Sequence, residues 1–184
     1  MTGGQAATVA RTMDRALAAT MDYLACPGPT SAAAARDAIA EHPEHAVEVD
    51  FEARAHRLLD AGDAGSVVTL FRQHLPSVLL SPGAHLALAT AFEQLGERAQ
   101  AEREREVARL GVEAVTGSGD GSSDRPWVVL RVGDEYEVLA ALGRRVTSQR
   151  LGVNQDGELV DELTCDDGSV CCFVLAAPLL GGDA

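Results

Sequence analysis

The sequence predicts a mainly α chain of helical hairpins followed by a small β-α-β-β-β tail, an α+β arrangement. Three observations predict it. Apolar residues recur at helical spacing up to about residue 115, and at strand spacing after about residue 126. Within the helical part, one turn pattern occurs twice. Gly62 and Gly96 lie 34 residues apart, each between two apolar helical patterns. Asp60-Ala61-Gly62-Asp63 and Gln94-Leu95-Gly96-Glu97 therefore read as the same tight helix–helix turn.

Taken in order, residues 6–24 place Val9, Met13, Ala16, Leu17, Thr20 and Leu24 near one helical face. Pro27-Gly28-Pro29 stops that helix, Ser31 is positioned to cap the next, and Pro43 ends it. This second helix is rich in alanine, which forms helix well but buries little area, so the N-terminal pair is expected to lie as a cover on the two hairpins. Phe51, Ala55 and Leu58 then share a face up to Gly62. Val67, Leu70, Phe71, His74 and Leu75 mark a partner helix that ends before Pro76. Pro82-Gly83 opens the second hairpin, with Leu88, Ala89, Phe92 and Leu95 on one helix and Ala101, Val107, Ala108 and Leu110 on the other. These hairpins occupy residues 48–81 and 82–115.

Thr116 to Arg125, dominated by Gly, Ser and Asp, reads as a linker or tight connection. Trp127 to Val132 reads as a strand, and Asp134 to Leu142 as a helix with Asp134 and Glu137 spaced as a capping box and Gly143 as its stop. In that helix Tyr136, Leu139 and Leu142 are expected to face inward. Strands are expected at 146–153, 158–164 and 170–175, joined by turns at Asn154–Gly157 and Asp166–Ser169. Val170-Cys-Cys-Phe-Val-Leu175 is apolar on both faces, so it is expected to be central. The resulting organisation is a helical region over 1–115, a connection over 116–125 and an αβ unit over 126–180.

Shifting the first hairpin by 34 residues aligns Ala55 with Ala89, Leu58 with Phe92 and Gly62 with Gly96. With Ala101 and Ala108 at the small second-helix positions, the pair resembles tetratricopeptide repeats. It departs from them at Phe51 and His85, where that family often has Trp, and at Arg105, where it prefers an aromatic residue. The resemblance implies a groove lined by Glu52, His56, Leu59 and Asp60 from one hairpin and Thr90, Glu93 and Gln94 from the other. That surface is acidic, so the expected partner is a basic or polar peptide segment, unless the N-terminal helices or the tail cover it. Farther on, Ser118-Gly119-Asp120-Gly121-Ser122, then Asp134-Glu135-Tyr136, Leu139, Leu142-Gly143 and Ser148-Gln149, resemble an uncharacterised bacterial family, a domain of unknown function with helical hairpins and an αβ tail. That likeness runs from about Tyr23 onward. It implies architecture and supplies no mechanism.

Charge excludes other roles. With 28 acids against 15 bases, all of them arginine, the net charge of −13 repels nucleic acid and anionic membranes. No apolar run approaches the roughly 18 residues that span a bilayer. The N-terminal helix is interrupted by Arg11, Asp14, Arg15 and Asp22, unlike a signal peptide, so a cytoplasmic location with reduced cysteines is expected. His42-Pro43-Glu44-His45 offers two imidazoles, but proline opposes the helical backbone that such pairs generally need. Cys171 and Cys172 point to opposite faces of a strand, which suits core packing better than a shared ion. The SGDG loop lacks the Lys-Ser/Thr ending of a phosphate loop. No cofactor or metal is expected. The leading reading is a non-catalytic interaction module. The alternative is an enzyme or small-ligand sensor with a site at the helical–tail junction near Asp120, Asp134, Tyr136 and Gln149.

Overall fold

Helices and strands fall into two blocks in a computed structural model, which describes residues 3–154 and 157–176. The first block is α1 (Gly3–Ala25), α2 (Pro29–Ala40), α3 (Phe51–Asp60), α4 (Ala64–Gln73), α5 (Pro82–Gln94) and α6 (Arg98–Thr116). The second is β1 (Trp127–Val129), α7 (Val132–Ala141), β2 (Val146–Val153), β3 (Leu159–Cys165) and β4 (Val170–Leu175). The chain is mainly α, with a small four-stranded sheet at its C-terminal end.

The α3–α4 and α5–α6 turns are built alike. Gly62 has φ +74°, its N–H donates to the Leu59 carbonyl at 3.0 Å, and Asp63 N–H donates to Leu58 at 2.9 Å. Thirty-four residues on, Gly96 has φ +79°, with matching bonds to Glu93 at 3.0 Å and from Glu97 to Phe92 at 2.8 Å. Both are left-handed caps that satisfy the last carbonyls of a helix. Within the first hairpin, Phe51 meets Phe71 and His74 edge-on, at centroid distances of 6.1 and 5.9 Å. Phe51, Ala55, Leu59, Val67, Leu70, Ala84, Ala87 and Ala91 form one continuous core. Leu59, rather than Leu58, completes the buried stripe of α3.

Pro29 is the first residue of α2, but Gly28 occupies the cap, and the Ser31 hydroxyl donates backward to the Cys26 carbonyl at 2.9 Å. The expected Ser31 cap is thus replaced by a bond that ties the α1–α2 turn together. The two N-terminal helices pack through Tyr23, Ala35 and Ile39 against Leu79, Leu80, Leu110 and Leu130. Tyr23 Oη donates to the Leu110 carbonyl at 2.7 Å, and the buried Arg36 donates to Ala114 at the same distance. These bonds seat α1 and the alanine-rich α2 on α6, and the Ala114 carbonyl is one of the last four of α6, which lack an intrahelical donor.

The sheet order is β1-β4-β3-β2, with β1 parallel to β4 and the rest antiparallel. Strand β4 is therefore central, and Cys171, Cys172 and Phe173 are buried on its two faces. Residues 117–125 form a tight turn in which Asp120 and Gly121 N–H both donate to the Arg125 carbonyl, at 3.0 and 3.1 Å. Its Gly121 carbonyl accepts from Cys172 N–H at 2.8 Å, so the turn is hydrogen-bonded to the sheet.

Helix α7 differs from the sequence expectation. It begins at Val132 with Arg131 as cap residue, and no capping box forms. Asp134 instead turns its carboxylate toward Ser81 and Arg131. The inward stripe is consequently Asp134, Glu135, Val138 and Leu139, while Tyr136 and Leu142 are 40% and 43% exposed. A tertiary ion pair outcompeted the local cap.

Candidate functional site

Helices α3 and α5 run side by side in the same direction. Arg131 bonds to Glu52 and to Ser81, at the starts of α3 and α5, while at their ends Gln94 Nε2 donates to the Leu59 carbonyl at 3.3 Å. Between them lies a groove of about 520 Å³. Glu52, His56, Leu59 and Asp60 line one side, and Leu86, Ala87, Thr90 and Gln94 the other. Gly83 and Glu137 close the end nearest the tail. Among the described residues, none of α1 or α2 lines this groove.

The expected groove residue that lies elsewhere is Glu93. It forms an ion pair with Arg105 of α6 and lines a separate surface depression. The reason is that ion pair: Leu59, 34 residues earlier at the same offset from its turn glycine, is apolar and stays in the groove, whereas the Glu93 carboxylate is drawn to Arg105. Sequence reasoning also missed Glu137, which it assigned to the helix start.

Glu137 reaches the groove because Gly83 has no side chain. A Cβ at position 83 would lie 2.8 Å from Glu137 Cγ and 2.9 Å from its Cδ, so any other residue there would displace the glutamate. The Glu137 carboxyl is half-buried, and burial raises its pKa, with Glu52 and Asp134 adding to the rise and His56 and Arg131 opposing it. Among the described residues it has neither a cationic partner nor a hydrogen-bond donor.

The wall beside it is rigid. Arg131, 1% exposed, donates to Ser81 Oγ at 2.7 Å and to Asp134 Oδ1 at 2.9 Å, and also pairs with Glu52. Ser81 Oγ donates to Asp134 at 2.7 Å and caps α5 by accepting from Ala84 N–H at 3.3 Å. Burial by itself lowers the Arg131 pKa, but Asp134 and Glu52 outweigh it, so the group is held firmly charged. Two carboxylates around one buried guanidinium fix α7 to the starts of α3 and α5.

On the sheet side of α7, Glu135 is also 1% exposed, yet neither of its carboxyl oxygens meets a donor among the described residues. Burial, reinforced by the neighbouring Asp161 carboxyl, pushes its pKa up to about 9. It is therefore a neutral acid at pH 7, and its proton bridges the two carboxyls. Gln149 Nε2 donates to Asp161 at 3.0 Å, and Tyr136 Oη donates to Gln149 Oε1. Tyr136 and Gln149 also line an open cleft with Arg144 and Ser148.

The remaining motif residues divide between structure and surface. Leu139 is fully buried in the tail core, and Gly143 ends α7 with the same type of left-handed cap seen at Gly62. Ser148 is exposed on β2, opposite Thr164. Gly119 belongs to the tight turn, and Asp120 bonds within it, accepting from Ser122 N–H at 3.0 Å. Asp120 thus serves its own turn, while Asp134, Tyr136 and Gln149 bond around α7. His42 is buried, its Nδ1 accepting from Glu44 N–H at 3.1 Å, which makes the His-Pro-Glu-His segment a closed turn.

Among the described residues no three His, Cys, Asp or Glu side chains are grouped to hold a metal ion, and no helix is long and apolar enough to cross a membrane. No family model, curated protein or solved structure matches the chain. The groove and the acids of α7 are the features that bear on function.

Proposed function

We propose that this chain is a non-catalytic protein-interaction module that holds an extended peptide segment in the groove between α3 and α5. The observation that carries the reading is the convergence of six side chains from two hairpins, Glu52, His56, Leu59, Asp60, Thr90 and Gln94, on one groove. Its shape suits a peptide. From Gly83 to Gln94, α5 advances about 16 Å, which matches about five residues of extended chain. The likeness of the two hairpins to tetratricopeptide repeats supports the same reading, as does a wall already held in place by Arg131, which reduces the ordering cost of binding. The acidic lining favours a basic or polar segment, and the same net charge disfavours nucleic acid. A cytoplasmic setting fits the four unpaired cysteines.

A second reading, a small-ligand sensor or enzyme on the tail, draws on the Glu135–Asp161 carboxyl pair beside the Tyr136–Gln149 cleft. The two readings separate by mutation. Thr90 is exposed on α5, and Thr90→Trp fills the groove without touching the core. Partners retained from a native lysate by the wild type and lost in Thr90→Trp support the interaction module. Retention that survives Thr90→Trp but fails in Gln149→Ala moves the site to the tail.

A further inference from the structure

The groove is contributed mostly by the hairpins, but one of its two ends belongs to the tail. That end contains a half-buried carboxylate that the other described residues leave without an ion pair or hydrogen bond. Glu52 is ion-paired with Arg131. Asp134 shares that guanidinium and accepts from the Ser81 hydroxyl, so the two acids together keep a net negative charge. Glu137 lies over Gly83 beside them, half-buried, with no ion pair and no hydrogen bond among the described residues. A partly desolvated carboxylate without a partner is costly, and a bound cation would remove the cost. Leu86, 46% exposed, stands one helical turn farther along α5 and offers an apolar contact next to that charge.

We propose that Glu137, supplied by the αβ tail, is the specificity determinant of the groove, and that it receives the arginine or lysine side chain of a peptide whose next residues lie along Leu86 and Thr90. This inference rests on the peptide-binding reading above and deepens it: the tail completes the site. Three features support a basic side chain at that end. The groove carries Glu52 and Asp60 besides Glu137, so its field is negative throughout. The Glu137 side chain lies over Gly83 at that end of the groove, so its carboxyl borders the space along α5. A guanidinium or ammonium there would also turn an unfavourable burial into a charge-assisted hydrogen bond.

The pH dependence follows from the same geometry. Burial first, then Glu52 and Asp134, raise the Glu137 pKa, while His56 and Arg131 lower it. The cation requires the ionised form, so binding strengthens as pH rises through the titration of Glu137.

The test uses the full chain and a displayed library of random 12-residue peptides. Peptides selected on the wild type are synthesised, and their affinities are measured by fluorescence anisotropy for wild type, Glu137→Gln and Thr90→Trp. Glu137→Gln keeps the shape, and its melting curve reports that the fold is intact. The expected result is enrichment of Arg or Lys at one position and loss of binding in Thr90→Trp. Affinity should fall at least about 10-fold in Glu137→Gln, the scale of one charge-assisted bond. Replacing the basic residue by citrulline or norleucine should weaken wild type by a similar factor and Glu137→Gln hardly at all. Peptides that require an open groove but carry no preferred basic residue, or bind Glu137→Gln equally well, overturn the role of Glu137 and leave the peptide groove standing. Selected peptides that ignore Thr90→Trp, or no selection at all, overturn both.

Discussion

Asp134 and Glu135 are neighbours in sequence and equally buried, yet the protein neutralises them in opposite ways. Asp134 faces the hairpins, where Arg131 and Ser81 satisfy it as an anion. Glu135 faces the sheet, where it meets another carboxyl and is held as a neutral acid. The comparison teaches that α7 is fastened on two sides by different physics. An ion network fixes it to α3 and α5, and a shared proton lets it lie against β3. The first attachment requires charge. The second requires its absence.

Removing the common cation should have the largest effect. Arg131→Met leaves Glu52 and Asp134 without their guanidinium, at an expected cost of about 3–5 kcal/mol, seen as a loss of cooperative unfolding or a fall in Tm of roughly 10 °C in calorimetry. A near-neutral Arg131→Met would dissolve the contrast, because Asp134 would then need no counter-charge.

Next in size is the opposite expectation for the sheet side. Glu135 has its pKa raised from 4.5 to about 9, so folding takes up a proton between those values and stability falls as pH rises across that window. Glu135→Gln carries no such requirement and keeps a permanent donor for Asp161. Its Tm should exceed wild type by about 3 °C or more at pH 8 and converge with it near pH 5. Asp134→Asn should instead lower Tm at both pH values. The same sign for the two amide variants would break the comparison.

Smaller effects set the scale. Gly62→Ala and Gly96→Ala should each cost about 1 kcal/mol in urea unfolding, because their φ values of +74° and +79° are strained for any residue with a Cβ, while no side chain lies within 4 Å to add to the cost. Equal and additive losses are expected from two independent caps of the same build. Smallest is Tyr136→Phe, which removes an exposed bond to Gln149 and should change stability by less than about 0.5 kcal/mol. A larger loss would mean that the outer Tyr136–Gln149 link is needed to hold Asp161 against Glu135.

Much of the local structure was legible along the chain. Proline and glycine act on the residues beside them, so the helix boundaries at Pro29, Gly62, Pro82, Gly96 and Gly143 could be placed from sequence to within a few residues. Strands β2 to β4 followed from alternation and turn residues, and the central position of β4 from its apolar Cys171, Cys172 and Phe173. The groove side chains on α3 and α5 were legible for a related reason, since they sit at fixed offsets from the two glycines. Glu93 has the same offset from Gly96 as Leu59 has from Gly62, but its carboxylate is drawn to Arg105 of α6, a tertiary pairing that the spacing does not show.

The sequence by itself determined the order of helices and strands, the shared 34-residue spacing of two turns and the acidic balance, because these depend on neighbours in the chain or on composition alone. What only the tertiary structure decided is the fate of the four-residue run Asp134–Glu137. Local rules read its acids as a helix cap. The groups they meet, Ser81, Glu52, Arg131, Asp161 and Gly83, come from both sides of the molecule, most of them tens of residues away. In a partly desolvated space a direct ion pair or a shared proton outweighs a cap bond worth about 1 kcal/mol, and only the folded chain sets which partner each acid meets.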